Sequence, residues 1–164
     1  MKIKIISINF ILFLIFYLLS DIVFSRFFFK QSVDHKCYEH VFEGKFYKMR
    51  KNCYANMRLI SSIDSFKVYT ENEGLRYSGK KRKLKKKSVV FLGDSQTFGV
   101  GSDWKNTFIG ILEKEFLDYN FYNLGVPSYS PTIYNYSLQK FIEKETKEKI
   151  EKIFVLIDLT DVGD

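Results

Sequence analysis

The chain has 164 residues, which is enough for one compact domain with an appended segment. Its 17 Phe and 11 Tyr provide ample apolar material for a core. The formal net charge is +7, but seven of the 26 Lys and Arg residues fall within residues 80–87, and the other 19 equal the 19 Asp and Glu. Because the rest of the chain is neutral on balance, the composition excludes a uniformly basic nucleic-acid-binding protein, and no nucleic-acid partner is predicted.

Residues 1–25 are predicted to form a membrane anchor. Residues 5–25 contain a single charge, Asp21, and about 20 apolar residues suffice to cross a bilayer as a helix. A cleavable signal peptide has a shorter apolar region that ends in small residues, and no Ala-x-Ala pattern occurs here. We therefore expect an uncleaved transmembrane helix in contact with lipid. A signal peptide and a buried soluble helix are the alternatives.

The charges that flank this segment hardly decide its orientation. Lys2 and Lys4 precede it, whereas Arg26, Lys30 and Lys36 follow it. The very short N-terminal tail favours an N-terminus on the inside. We therefore expect the rest of the chain to lie on the extracytoplasmic side of the membrane.

Residues 26–87 are predicted to form a membrane-proximal extension that ends in a basic linker. The extension holds all cysteines and histidines of the chain: His35, Cys37, His40 and Cys53. In an exported chain the two cysteines can form a disulfide, while free thiols are the main alternative. A zinc site from the four residues has no standard ligand spacing, so no metal is predicted.

The basic run at residues 80–87 has no interleaved aromatic residues and directly precedes an apolar segment. It is therefore predicted to be a solvated connector. Contact with an anionic lipid or an acidic polymer is the alternative. Upstream of it, residues 68–70 and 72–76 are typical of a strand, a turn and a returning strand.

Residues 88–164 have the order β-α-β-α-β, which predicts an α/β fold with a parallel sheet and right-handed crossovers. Predicted strands cover residues 89–92, 120–124 and 153–159. Between the strands lie two apolar stripes at helical spacing. The first is Trp104, Phe108, Ile111, Leu112 and Phe116 with Asp103 as N-cap, and the second is Tyr134, Leu138, Phe141 and Ile142 after Ser130 and Pro131.

Nucleotide-binding loops do not fit this segment. Gly99 and Gly101 are not followed by the third glycine of a dinucleotide-binding loop, because Trp104 takes that place. No Gly-Lys-Ser/Thr triplet of a phosphate-binding loop occurs either. No cofactor is predicted.

An acid and a hydroxyl follow the first predicted strand of this segment. Gly93 ends the strand, which leaves Asp94 and Ser95 at its carboxyl end. Ligands bind at that edge of parallel α/β sheets, because the loops there open into a crevice. Ser95 is therefore a candidate nucleophile, with backbone N–H groups of the following turn available to hold an oxyanion.

Three motifs at successive strand ends resemble the first three sequence blocks of the SGNH (GDSL-type) hydrolase family. They are Gly93-Asp94-Ser95, Asn123-Leu124-Gly125 and Thr160-Asp161. The resemblance spans residues 88–164 and implies the N-terminal half of a flavodoxin-like sheet, an incomplete SGNH hydrolase domain. Membrane-anchored members have a stretch similar to Gly74-Leu75-Arg76, which would place Arg76 near the active face; a structural salt bridge is the alternative.

The resemblance implies acyl-ester chemistry, either hydrolysis or O-acyl transfer. Ser95 would be the nucleophile, with Asp94 part of its motif, and the N–H groups of Ser95 and Gly125 would hold the oxyanion. Thr160 stands where the family has an oxyanion-binding asparagine, and its hydroxyl is a shorter donor. Membrane-anchored members often act on cell-surface polysaccharide, which makes an acetylated carbohydrate the expected substrate.

The family's base, a histidine in an Asp-x-x-His motif, has no counterpart here, because no histidine follows His40. We therefore expect this chain to be a truncated portion of such an enzyme without esterase activity of its own. The alternative is a catalytically silent, membrane-tethered binding module that keeps the fold but lacks the triad.

Overall fold

The computed structural model describes residues 2–28, 35–40, 46–58, 65–80, 87–144 and 149–158. The chain divides into two compact units, Met1–Ser32 and Val33–Asp164. Their helices and strands are α1 (Lys2–Phe28), β1 (Tyr38–His40), β2 (Tyr47–Met49), β3 (Tyr54–Arg58), β4 (Ser65–Thr70), β5 (Arg76–Tyr77), β6 (Lys87–Leu92), α2 (Ser95–Phe98), α3 (Phe108–Glu115), β7 (Tyr119–Asn123), α4 (Pro131–Lys144) and β8 (Lys149–Val155).

The first unit contains helix α1. Its stretch Ile8–Ser25 has a mean hydropathy of 2.1, and none of it is buried. Its 18 residues make the helix long and apolar enough to cross a membrane. The predicted apolar N-terminal helix is confirmed.

In the second unit a six-stranded mixed sheet has the spatial order β3-β4-β5-β7-β6-β8. Strand β6 pairs in parallel with β7 and with β8. Strands β3, β4 and β5 continue the sheet in antiparallel fashion beyond β7, where Arg76 is paired with Asn123. The predicted α/β class is confirmed. The predicted boundary at residues 87/88 lies inside β6, and strands of the predicted extension belong to this sheet.

Helices α3 and α4 pack against different apolar clusters of the sheet. Val90 and Leu92 of β6 belong to the cluster that contains Tyr134 and Phe141 of α4. The alternate residues Val89 and Phe91 pack with Ile109 of α3. Because neighbouring side chains of a strand point to opposite faces, the two helices lie on opposite faces of the sheet.

A disulfide joins Cys37 to Cys53, with their Cα atoms 5.7 Å apart. It ties the segment before hairpin β1–β2 to the residue before β3. Of the alternatives weighed for these cysteines, the disulfide is confirmed, and a zinc site or free thiols at these sulfurs are wrong.

The N-cap predicted for the first helix of the α/β segment is wrong. A 3₁₀ turn, Trp104–Asn106, comes first, and α3 starts after Thr107, whose hydroxyl accepts from Gly110 N at 3.1 Å. Asp103 instead accepts from Lys67 N at 2.7 Å. The 3₁₀ turn breaks the helical period, so three residues of the predicted apolar stripe are exposed: Phe108, Ile111 and Phe116.

The last predicted strand is shifted by four residues. It covers Lys149–Val155 instead of residues 153–159, because residues 149–155 follow β6 along its length. Its first four residues belong to a Glu/Lys-rich run at residues 143–152. Helix α4 begins at Pro131, as predicted from Ser130 and Pro131.

Candidate active site

The residues after β6 turn directly into helix α2. Asp94 caps this helix, since its Oδ1 accepts from Gln96 N at 2.9 Å. The helix has four residues, and Gly99 caps its C-terminal end with a φ of 84°, in the left-handed region that favours glycine. Ser95 is therefore the first helical residue beyond the carboxyl end of a central parallel strand.

Ser95 is half-buried, and its hydroxyl is oriented by the neighbouring carboxylate. Ser95 Oγ donates to Asp94 Oδ2 at 3.2 Å. Asp94 itself is only 8 % exposed. One buried carboxylate thus both caps α2 and accepts from the candidate nucleophile.

Two glycines let α2 lie close to the strand ends. A Cβ on Gly93 would lie 2.0 Å from Thr97 Oγ1, and one on Gly125 would lie 2.6 Å from Phe98 N. Val126 N donates to Gly93 O at 3.2 Å. Gly125 and Ser95 therefore lie at the same edge of the sheet, as predicted for the first two motifs.

The N–H of Gly125, the predicted oxyanion donor, has a partner within the protein. It donates to Asn123 Oδ1 at 2.9 Å. Asn123 Nδ2 in turn donates to Thr97 O in α2 at 2.9 Å. The fully buried Asn123 side chain therefore joins the end of β7 to α2. Asn123 belongs to a predicted motif, but no role was predicted for its side chain. The signal that could have indicated a role is an asparagine at the end of an apolar strand.

A side chain that follows β8 contacts α2 at the same edge of the sheet. Gln96 Nε2 donates to Asp158 Oδ2 at 2.7 Å, although 62 positions separate the residues. The sequence did not predict this contact, because two ordinary polar side chains so far apart in the chain carry no signal of pairing. Thr160, predicted as a possible third oxyanion donor, lies outside the described residues together with Asp161.

Arg76 supports the loop that follows α2. Its buried guanidinium donates to Phe98 O at 2.5 Å, to Gly99 O at 2.7 Å and to Ser102 O. It also lies over the ring of Phe98 with 4.8 Å between Cζ and the ring centroid. The sequence analysis left a structural salt bridge and a place near the active face as alternatives. Arg76 lies beside the loop that follows Ser95, and it binds backbone carbonyls there.

Burial lowers the pKa of the Arg76 guanidinium to about 10, and the charge of Asp103 opposes this shift. Arg76 therefore stays protonated at neutral pH. The charge strengthens its hydrogen bonds to the carbonyls, because charge-assisted hydrogen bonds are about twice as strong as neutral ones.

A general base of the family's kind is not among the described contacts of Ser95. His40 is in β1 and its side chain is exposed. The side chain of His35 lies outside the described residues. Within the described part of the chain, the carboxylate of Asp94 is the group that contacts the Ser95 hydroxyl.

The model of the family described as "protein of unknown function (DUF1574)" matches residues 1–160. The chain belongs to this family. The matched residues include the apolar helix α1, the disulfide-linked segment and the strands around Ser95. No curated protein matches the chain.

Proposed function

We propose that the protein carries out acyl-ester chemistry, by hydrolysis or O-acyl transfer, with Ser95 as the nucleophile. The observation that carries this proposal is the position of Ser95. Ser95 is half-buried beyond the carboxyl end of β6, and its hydroxyl hydrogen-bonds to a buried carboxylate. Reactive side chains of parallel α/β sheets occur at that edge.

The strand order supports an SGNH-type, flavodoxin-like arrangement. Among the parallel strands the spatial order β7-β6-β8 is second, first, third in the chain. This is how the flavodoxin-like order 2-1-3 begins, and in it the crevice lies between the first and third strands. Gln96 and Asp158 bridge the ends of these two strands, next to Ser95.

The proposed step is attack of Ser95 Oγ on an acyl carbonyl while a base accepts the serine proton. The tetrahedral intermediate then breaks its bond to the alcohol, which leaves with that proton, and water or an acceptor hydroxyl takes the acyl group from Ser95. The oxyanion would be held by the N–H groups of Ser95 and Gly125. The Gly125 N–H must then exchange Asn123 Oδ1 for the oxyanion, or be shared between the two. Thr160 would be a weaker third donor than asparagine, and loss of one such donor costs about 10²–10³ in rate.

The proposed substrate is an acetylated carbohydrate outside the cell. The apolar helix α1 would span the bilayer once and hold the second unit on the extracytoplasmic side. The Cys37–Cys53 disulfide supports that side, because disulfides persist in oxidising compartments and are rare in the cytosol.

A second candidate function is a membrane-tethered binding module with an SGNH-like fold. Two observations favour it: the Gly125 N–H already has an acceptor, and the described contacts of Ser95 include a carboxylate but no imidazole. A protein that only binds esters would keep the sheet edge and need no base.

Acetate release from a fully O-acetylated hexose tests the two candidates. The assay uses membranes from cells that express the complete gene, with Ser95→Ala and, as a matched control, Ser78→Ala directly after β5. We expect acetate release that is lost in Ser95→Ala and kept in Ser78→Ala. Acetate release that survives Ser95→Ala would contradict the assignment of Ser95 as the nucleophile. Binding of the acetylated sugar without acetate release would support the binding module.

A further inference from the structure

A cavity of about 190 Å³ lies between strand β2, the turn at residues 73–75 and helix α4. Its floor includes Leu124 and Val126, which follow β7. The turn approaches β2 closely because Gly74 has a φ of 83° and no side chain; a Cβ there would lie 2.4 Å from Met49 O. None of the residues that contact Ser95 lines this cavity.

Three aromatic rings form one wall of the cavity: Phe46, Tyr129 and Tyr136. The ring of Phe46 meets that of Tyr136 edge to face, with centroids 5.3 Å apart. Tyr129 is fixed by its hydroxyl, which donates to Tyr47 O at 2.6 Å. Such rings offer flat apolar faces with little entropy left to lose on binding.

The rim of the cavity is cationic. Four lysines contribute to it, with one carboxylate, Glu73: Lys48, Lys51, Lys140 and Lys144. Glu73 Oε2 lies 2.5 Å from Lys144 Nζ and 3.7 Å from Lys51 Nζ. The hydrogen bond from Lys144 lowers the pKa of Glu73, so this carboxylate is ionised at neutral pH. Lys48 and Lys140 are paired with carboxylates next to the cavity, Glu39 at 3.9 Å and Glu143 at 2.9 Å. The lysines of the rim still exceed the carboxylates that pair with them.

We propose that this cavity binds one sugar ring that carries an anionic group, either a carboxylate or a phosphate. Its volume is below the roughly 300–1,000 Å³ of sites for drug-sized ligands, which limits the ligand to a single ring. The aromatic wall matches the apolar face of a sugar, and the Ser137 hydroxyl and the lysines match its polar groups. The proposal rests on the lining of the cavity and not on the role of Ser95.

Titration of the full chain in neutral detergent micelles tests the ligand class. The probes are glucuronate, glucose 6-phosphate, neutral glucose, inorganic phosphate and cyclohexanecarboxylate, an acid of the same ring size without hydroxyl groups. We expect one or both charged sugars to bind at least about tenfold more tightly than each of the other three, since a hydrogen bond to a charged group contributes about 1.5–3 kcal/mol.

Which charged sugar binds more tightly distinguishes a carboxylate from a phosphate. Three results would overturn the proposal. They are equal binding of charged and neutral sugars, binding of inorganic phosphate or cyclohexanecarboxylate as tight as that of the charged sugars, and absence of binding by every probe.

Variants of exposed residues locate the bound sugar. We expect Lys140→Gln and Tyr136→Ala to weaken binding of the tighter charged sugar about tenfold. Glu73→Gln is expected to tighten binding several-fold, because it removes the carboxylate that competes with the ligand for Lys51 and Lys144. If these residues had only a structural role, binding would not become weaker in the first two variants and tighter in Glu73→Gln.

The matched controls are Lys114→Gln, an exposed lysine of α3 on the other face of the sheet, and Ser95→Ala. Both should bind the charged sugar like the unmodified chain, so failure of the Ser95 assignment would leave this result untouched. Weaker or unchanged binding in Glu73→Gln would contradict the proposal. An equal loss in Lys114→Gln would do so too, because it would show unspecific charge attraction.

Discussion

The two parallel neighbours of β6 differ in how much of the protein covers them. In β7, the residues from Asn120 to Asn123 are all buried, whereas β8 has no buried residue. Strands β3, β4 and β5 continue the sheet beyond β7, and β8 lies at its other edge. Ser95 and Gly125 are thus held by the covered side, while Asp158 contacts the neighbouring Gln96 from the exposed side.

This difference tells which contacts of the candidate site are rigid. On the covered side, Arg76, Asn123 and two close-packed glycines fix α2 and the loop after it. On the exposed side, the contact to α2 is the hydrogen bond between Gln96 and Asp158. Substitutions should therefore have large effects on the covered side and small ones near β8.

The largest effect is expected for Arg76→Leu. It leaves the buried carbonyl of Phe98 and the partly buried carbonyls of Gly99 and Ser102 without this donor, and each buried acceptor that is left unsatisfied costs about 1–3 kcal/mol. Chemical unfolding of the full chain in micelles measures the loss. Arg76→Lys keeps the charge but not the fork of donors, so its free energy of unfolding should lie between those of the unmodified protein and Arg76→Leu. Equal stability of all three proteins would show that Arg76 does not hold the covered side.

The next effect is expected for Gly125→Ala. The added Cβ would lie 2.6 Å from Phe98 N, so α2 must move away from the end of β7. Overpacking of this kind costs about 1–3 kcal/mol. Because α2 carries Ser95, acetate release should fall more steeply than stability. A variant that unfolds at the same denaturant concentration as the unmodified protein and keeps full activity would contradict the close packing.

A matched pair compares the two sides directly. Val90 and Ile153 face each other in neighbouring strands, but Val90 is 0 % exposed and Ile153 is 42 % exposed. Val90→Thr buries a hydroxyl and should lower the free energy of unfolding by about 1–3 kcal/mol. Ile153→Thr should change it by no more than about 0.5 kcal/mol, as is usual at surface positions. Equal losses would mean that β8 is covered.

Much of this architecture was predictable from local patterns. The apolar helix, the strand before Gly93, the start of α4 at Pro131 and the edge shared by Ser95 and Gly125 follow from hydrophobic periodicity and breaker residues. The place of β8 was not predictable, because pairing with β6 draws charged residues such as Lys149 and Glu151 into a strand. Arg76 was ambiguous, since a sequence does not show which carbonyls a guanidinium meets.

A separate effect concerns alkaline pH. Burial raises the pKa of Tyr38 to about 12, from an ordinary value of 10.0, and also raises the pKa of Tyr129. Above pH 10 the unfolded chain loses these protons while the folded protein keeps them, so stability falls as the pH rises from about 10 to 12.

Unfolding measured at several alkaline pH values should show this fall, and Tyr129→Phe should make it shallower. Tyr69→Phe is the control, because Tyr69 lies in β4, away from the Tyr47 and Tyr129 rings. An alkaline slope that is the same in Tyr129→Phe would show that the folded protein does not hold the Tyr129 proton.

The most direct test of the nucleophile is covalent labelling of the complete gene product in membranes with a fluorophosphonate, followed by mass spectrometry of the labelled peptides. We expect an adduct on Ser95 that is absent in Ser95→Ala and unchanged in Ser78→Ala. An adduct on another residue, or labelling that persists in Ser95→Ala, would contradict the assignment of Ser95 as the nucleophile.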